Sequence, residues 1–263
     1  MTVKKFFMNV GKALAVTAFW IAIWGMVSVR INSEFLLPSP KDVFSALGNM
    51  MLTAEFWTVA LTSLLRVVLA IAISLVIGVL LAVATERIAL LNVLLSPMLS
   101  VIKSTPVASF IILALLWIKR DSLPVFITAL IVVPIVWSNV SEGIREVDKS
   151  LVEVTKVYKF SPLKKLIKLY VPSVAPFFMA ACRSSLGMAW KAGISAEVLS
   201  TPEMAIGTEL FFSKTYLDTP ALFAWTLVVI ILSIVIEKLF VWGLEALGRQ
   251  MRVMKKGDSR DKA

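Results

Sequence analysis

Five ionisable side chains, Arg66, Lys103, Arg183, Lys191 and Glu197, stand within otherwise apolar runs. A charge at bilayer depth costs at least ~2.5–3.5 kcal/mol on insertion scales, so such a group faces a partner or a water-filled path. Arg183, Lys191 and Glu197 form one candidate group for a substrate pathway, with structural pairing as the competing reading. Arg66 and Lys103 belong to the same list, but a long basic side chain can also snorkel to an interface. Lys191 and Glu197 are six residues apart and do not share a helix face. An ion pair between them needs a bend or a second helix.

Covalent chemistry has little to work with. The chain has no histidine and one cysteine, Cys182. That removes Ser–His and Cys–His nucleophiles, His-ligated metals and any disulfide within the chain. Cys182, inside an apolar run, reads as a packing residue. Lys191 and Ser195 could meet on one helix face as a Ser–Lys pair, but no oxyanion element accompanies them. No Gly-x-x-x-x-Gly-Lys-Ser/Thr run occurs, so this chain does not bind ATP through a P-loop. The expectation is a non-catalytic chain without metal or cofactor.

Apolar spans must position these charges. The hydrophobic fraction is 59%, mean hydropathy is +0.87 and charged residues make up 17%. Soluble domains run at roughly 45–50% apolar and about 25% charged. Spanning runs of ~20 apolar residues are expected over Ala13–Val29, Val67–Thr85, Ile88–Ile118, Ser122–Ser141, Leu169–Leu199 and Thr219–Ile236. The third is too long for one perpendicular span, and Pro97 and Pro106 can kink or divide it. The first reads as a retained helix rather than a cleaved leader, since no small-x-small site follows it. Connections Ser33–Trp57 and Ser200–Asp218 fall on one side, and Leu36-Leu-Pro38-Ser-Pro40 forces an extended turn in the first.

Charge gives the orientation. The connection from Arg145 to Lys168 alone carries more Lys and Arg than Arg30, Lys41, Lys119, Arg120 and Lys214 on the opposite side. The positive-inside rule then puts both termini in the cytoplasm. The net charge of +10 sits beside anionic lipid and needs no nucleic acid. Trp20, Trp24, Trp117, Trp137 and Trp242 fit interface belts or helix packing. The polar end, Lys255–Ala263, is expected to be disordered.

Between the fourth and fifth spans, Val154, Val157 and Tyr158 repeat at helical spacing, and so do Leu163, Leu166 and Ile167. Ser161-Pro162 is an N-cap followed by proline at the first helical position. Two short amphipathic helices with a sharp bend are predicted, either resting on headgroups or docking a partner.

The run Glu153-Val-Thr-Lys-Val-Tyr158-Lys159-Phe-Ser161, with Leu169-Tyr-Val171-Pro172, resembles the "EAA" signature of ABC-importer permeases. That signature is Glu-Ala-Ala, three residues, Gly, nine residues, Ile, one residue, Leu-Pro. Glu153, Leu169, Val171 and Pro172 fall in register. Val154 and Thr155 replace the alanines, and Lys159 stands at the glycine position. The family glycine permits a tight bend; Ser161-Pro162 can supply it instead. Leu36-Leu-Pro38-Ser-Pro40, Arg66, Pro97 to Pro106 with Lys103, Arg183, Trp190-Lys191, Ala196-Glu197 and Ile206-Gly207 resemble, in order, the nitrate/sulfonate/taurine branch.

The resemblance implies an all-α, type I importer (MetI-like) fold with six transmembrane helices and a cytoplasmic pair of coupling helices. Residues 1–56 would hold the tail, first helix and external linker, 57–245 the transmembrane domain, and 246–263 a basic tail. Glu153, Val157, Tyr158, Ser161, Pro162, Leu163, Leu169 and Pro172 would couple to ATPase subunits. Implied partners are two such subunits, an extracytoplasmic solute-binding protein, a second permease copy and membrane lipid. The implied location is the inner membrane, and the implied cargo is a small anion or a vitamin precursor. A secondary transporter is the alternative; it would need paired broken helices and its own coupling-ion site.

Overall fold

Prolines and small polar side chains set most of the helix boundaries. The computed structural model describes residues 3–257, and all regular elements among them are helices. After α1 (Val3–Ile31), Ser39 is extended and its Oγ accepts from Asp42 N at 3.2 Å, while Pro40 opens α2 (Pro40–Met51). Thr53 caps α3 (Ala54–Arg87) by accepting from Phe56 N at 3.3 Å. Both are side-chain N-caps of the usual kind. α4 (Ala89–Ser104) and α5 (Val107–Ala114) are separated at Thr105-Pro106 and bent by 107°. Pro106 divides this run, while Pro97 is tolerated inside α4. α6 (Leu123–Arg145), α7 (Lys149–Val157), α8 (Pro162–Lys165), a π-helical turn Leu166–Tyr170, α9 (Val171–Ser200), α10 (Ile206–Thr215) and α11 (Thr219–Gly257) follow.

Among the described residues, five helices are long and apolar enough to cross a membrane, and the bent α4–α5 pair makes six if it counts as one span. α3 is longer than the run from Val67 suggested. Its 34 residues, at ~1.5 Å each, exceed the ~30 Å hydrocarbon core. The connections before α3 and after α9 are not plain loops either; they hold the short helices α2 and α10. α11 continues through Lys255 to Gly257, so the polar end is helical that far, and residues 258–263 lie outside the described residues.

The core is α3, α6 and α9, sealed by close approach. Without a hydrophobic drive between helices in lipid, small residues let backbones meet. A Cβ at Gly78 would lie 2.6 Å from Val136 Cβ, so α3 and α6 could not approach this closely with any other residue there. Val67, Val132, Val136, Val140, Leu186 and Trp190 fill this layer. The Trp137 indole donates to Thr85 Oγ1 at 2.8 Å inside it, and the Trp190 indole donates to Val229 O of α11 at 3.2 Å. A second cluster packs Ile111 and Ala114 of α5 on Leu123 and Ile127 of α6 and on Ala192 and Ala196 of α9. Cys182 is buried in this packing. α1 lies at the margin. Its Trp24 donates to Pro38 O and stacks on Phe223 of α11, while Trp20 stays exposed.

The α6–α9 connection bends at an unexpected residue. α7 ends with Phe160 N donating to Thr155 O at 2.9 Å and Lys159 N donating to Lys156 O at 3.0 Å. This is the Schellman pattern, whose C′ residue takes the left-handed conformation. Lys159 takes it, with φ 48°. The bend therefore passes through the signature's glycine position with a lysine in it. Ser161-Pro162 follows as the cap of α8, with Ser161 Oγ accepting from Lys164 N at 3.3 Å. The second short helix does not stand alone: α8 runs through the π-helical turn into α9 as one helical stretch, Pro162–Ser200.

A non-glycine residue in the left-handed region costs roughly 1–2 kcal/mol, part of which glycine gives back as backbone entropy. Lys159→Gly should strengthen the motif. Amide exchange at Phe160, followed by mass spectrometry or NMR, is expected to slow about threefold, the equivalent of roughly 0.7 kcal/mol. Faster exchange would mean that the Lys159 side chain, not its backbone, supports the bend.

Candidate functional site

The intramembrane charges separate into two sites. At the end of α9, Glu197 is fully buried. Its Oε1 meets Arg66 Nη1 of α3 at 2.6 Å. Its Oε2 accepts from Ser63 Oγ at 2.8 Å and from Gly207 N at 3.2 Å. Arg66 Nη2 also donates to Glu203 O at 3.3 Å, and Ile206 N donates to Ser63 Oγ at 2.8 Å. α9 ends at Thr201 in a left-handed conformation, and the chain turns back over the carboxylate to start α10. A Cβ at Gly207 would sit 2.3 Å from Glu197 Cβ, so only glycine lets the backbone come this close.

This arrangement gives Glu197 its second helix, but the cation is Arg66 and not Lys191. Arg66 does not snorkel; it spends its guanidinium on the buried carboxylate and a carbonyl. Lys191 and Glu197 do not share a site: Glu197 is in the clamp and Lys191 lines a cavity. Arg183 is exposed on α9 and lines neither the clamp nor the cavity described next. A buried pair of this kind is weak evidence for net stability, yet removing one partner alone is costly because it strands the other charge.

Between α4, α6 and α9 lies a cavity of about 590 Å³. Ser184, Met188, Lys191 and Ser195 line it from one face of α9, at the spacing of a helical stripe. Lys103 and Thr105 enter from the α4–α5 break. Lys103 Nζ lies 5.9 Å from the Trp137 ring centroid, within cation–π reach. The lining holds two lysines, three hydroxyls and no carboxylate. Lys191 and Ser195 share the cavity wall but are not hydrogen-bonded to each other among the described residues. The cavity thus has mainly apolar walls with a few polar groups, the basic ones unaccompanied by a lining acid.

The third site is the α6–α9 connection. Asp148 caps α7, accepting from Ser150 N at 2.8 Å and from Ser150 Oγ. Those hydrogen bonds, the side-chain one first, hold its carboxyl below the ordinary value. Arg145 is anchored to Glu86 at the end of α3, Nη2 to Oε1, at 2.7 Å. Thr155 and Leu169 turn inward and are buried. The apolar side chains Val157, Tyr158 and Leu163 point away, 77%, 73% and 65% exposed. Pro162 opens α8, and Pro172 sits in the first turn of α9. Glu153 is exposed and makes no hydrogen bond or ion pair among the described residues.

Sequence reasoning missed Ser63, the Gly207 amide, the Glu86–Arg145 pair and the π-helical turn. One signal for the first was available: Ser63 precedes Arg66 by three, placing both on one face of α3.

A helical bundle with five spans among the described residues, or six with the bent α4–α5 pair, a buried inter-helix charge pair and an exposed apolar arm fits a multi-pass membrane protein. Residues 74–253 match the model of the family described as binding-protein-dependent transport system inner membrane component. The chain is 25% identical over 81% of its length to a Bacillus subtilis permease protein named for aliphatic sulfonates transport, covering 78% of that protein. It is 28% identical to the Escherichia coli permease of the same name, over 76% of each chain. A bicarbonate transport system permease of Synechocystis is 26% identical over 58% of this chain and 54% of its own. In fold it is similar to a chain of an amino acid ABC transporter crystallised with histidines, with TM-score 0.57, 16% identity, and 72% of this chain and 91% of that one covered. It is also similar to a chain of a bacterial alginate ABC transporter in complex with a periplasmic protein, with TM-score 0.56, 13% identity, and 94% and 96% covered. The chain belongs to the binding-protein-dependent transport system inner membrane components: it is the permease subunit of an ATP-binding cassette importer, with the type I, MetI-like fold.

The Arg66–Glu197 clamp makes an asymmetric prediction. Glu197→Ala should lower stability by about 3–5 kcal/mol by stranding Arg66. Replacing both, Arg66→Met with Glu197→Met, should recover most of that loss. Thermal unfolding in detergent checks it; a double variant no better than the sum of its single variants would show that the two side chains are not coupled.

Proposed function

We propose that the exposed apolar arm around Val157, Tyr158 and Leu163 is the seat of an ATPase subunit, and that its motion opens and closes the cavity holding Lys103 and Lys191. The single observation that carries this reading is the arm itself. Burying such a side chain is worth on the order of 1.5–3 kcal/mol, and here several are left uncovered side by side. Leu163 lies on the helical stretch Pro162–Ser200 that also carries Lys191, so displacement of that part of the arm is passed along a helix, through the π-helical turn, to the cavity wall. A transporter driven by its own coupling ion has no use for such an arm.

The complete importer would hold two copies of a permease, two ATPase subunits on the arms and a solute-binding protein on the opposite face. The excess of Lys and Arg on the arm side supports cytoplasmic termini in the inner membrane. Hydrolysis of ATP falls to the partner, and this subunit supplies the path without cofactor or metal. The two lysines of the cavity, with no acid beside them, favour a small anion. The relatives named for sulfonates and bicarbonate transport agree with that chemistry.

Tyr158→Asp and Val157→Asp should abolish both co-purification of the ATPase and uptake, while the helices still insert. Glu153→Lys, on the same arm, should weaken association through charge at the interface. Lys191→Gln should leave association intact and lower anion uptake about tenfold, the loss of one charge-assisted hydrogen bond. Full association and wild-type uptake in both aspartate variants would show that the arm rests on lipid instead. Unchanged uptake in Lys191→Gln would remove the cavity from the path.

A further inference from the structure

A second cavity, of about 610 Å³, opens at the other face of the bundle, where the arm rejoins it. Its walls are apolar: Val79 and Val83 of α3, Val140 and Ile144 of α6, Val174 and Phe178 of α9. Its mouth is charged. Glu86, Arg87 and Lys165 line it, and the Glu86 carboxylate is already bonded to Arg145 at 2.7 Å. Arg87 and Lys165 therefore leave the rim positive. Lys165 Nζ lies 5.6 Å from the Tyr170 ring centroid, and Tyr170 also lines the cavity, so the cation is held at the entrance.

The position matters as much as the charge. Leu166 and Tyr170 are the first and last residues of the π-helical turn, and both line this cavity. A π-helical turn is a local widening of the helix that recurs at functional places. Here it separates the arm from α9. Whatever fills the cavity wedges α3 against the hinge between arm and bundle.

We infer that this cavity is a binding site for an anionic phospholipid of the leaflet next to the arm, with one acyl chain between α3, α6 and α9 and the headgroup phosphate on Arg87 and Lys165. An apolar slot with a basic rim at the membrane–water boundary matches both halves of such a molecule, and basic pockets between spans on the cytoplasmic side bind anionic headgroups. A soluble anion would have no use for the apolar walls. An uncharged lipid would have no use for the rim. Bound lipid braces the hinge, so the response of the bundle to the arm depends on the anionic lipid content of the membrane. The site's leaflet and this last consequence rest on the reading of the arm as the ATPase seat; the binding itself does not.

The test uses the full chain in vesicles of phosphatidylethanolamine and phosphatidylglycerol, with a phosphatidylglycerol analogue carrying a photoreactive diazirine on its acyl chain. Crosslinked peptides are mapped by mass spectrometry. Labelling should concentrate on segments 79–87, 140–144 and 170–178. It should fall on the order of tenfold in the double variant Arg87→Ala with Lys165→Ala, which removes two surface cations. It should also fall in Ala175→Phe, which fills the slot and keeps the rim. Elution as a monodisperse peak with native helix content confirms that both variants fold. Even labelling along all spans, equal labelling by a phosphatidylcholine analogue, or labelling unchanged in both variants would overturn the site. So would a crosslink of these segments to a second copy of the chain in place of lipid. Labelling needs neither ATP nor a particular orientation in symmetric vesicles. A labelled cleft with no ATPase association would reject the arm and keep the lipid site, and the reverse result would reject the lipid site alone.

Discussion

Among the described residues, Glu197 is the one fully buried charged side chain, and its needs organise one end of the protein. An unpaired carboxylate in this setting would be several kilocalories too costly to keep. The chain meets the demand with three donors from two elements: Arg66 and Ser63 from α3, and the Gly207 amide from the start of α10. Together they fix two elements, α3 and α10, relative to α9. The turn Thr201–Ala205 is folded back over the pair, and Arg66 holds it through Glu203 O. Arg66 and Glu197 neutralise each other.

The cavity lysines are a separate matter: Lys191 sits on the same helix, six residues before Glu197, and Lys103 lines the cavity from α4. From the clamp, α9 passes Ser195, Lys191, Met188 and Ser184 along the cavity wall and reaches the π-helical turn and the arm at its other end. One helical stretch, interrupted by the π-helical turn, thus joins the clamp, the cavity and the exposed apolar side chain Leu163. The fixed end supplies the reference against which the arm can tilt the cavity wall. The π-helical turn is the place where this stretch departs from regular α-helical spacing, and it sits beside the second cavity, whose rim carries Arg87 and Lys165.

Much of this order is visible in the residues because membrane burial imposes simple rules. Long uncharged runs had to be spans, and the helices formed over them; the Thr105-Pro106 break also follows from the missing proline N–H. The Ser161 cap and the exposed repeat of Val157, Tyr158 and Leu163 follow from local spacing in the same way. The clamp was not legible because its partners are 131 residues apart in sequence, and spacing speaks only for neighbours on one helix. α2 and α10 were hidden inside the connections; the prolines of the first suggested extended chain, but Pro40 opens a helix, as proline does at a first helical position. Lys159 was read as a departure that moved the bend downstream. The backbone instead keeps the left-handed turn and accepts its cost. The π-helical turn has no composition signal at all.

The central claim is that arm and cavity move together. Spin labels at Leu163 on the arm and at Ser195 on the cavity wall, in a chain with Cys182 replaced by serine, test it by pulsed dipolar spectroscopy on the assembled importer. In the proposed importer with two permease copies, the two copies of each label give one distance for the arms and one for the cavity. The account predicts that trapping the ATPase with ATP shifts both distances together, and that Tyr158→Asp removes both shifts. An arm distance that changes on ATP binding while the Ser195 distance stays fixed would contradict it.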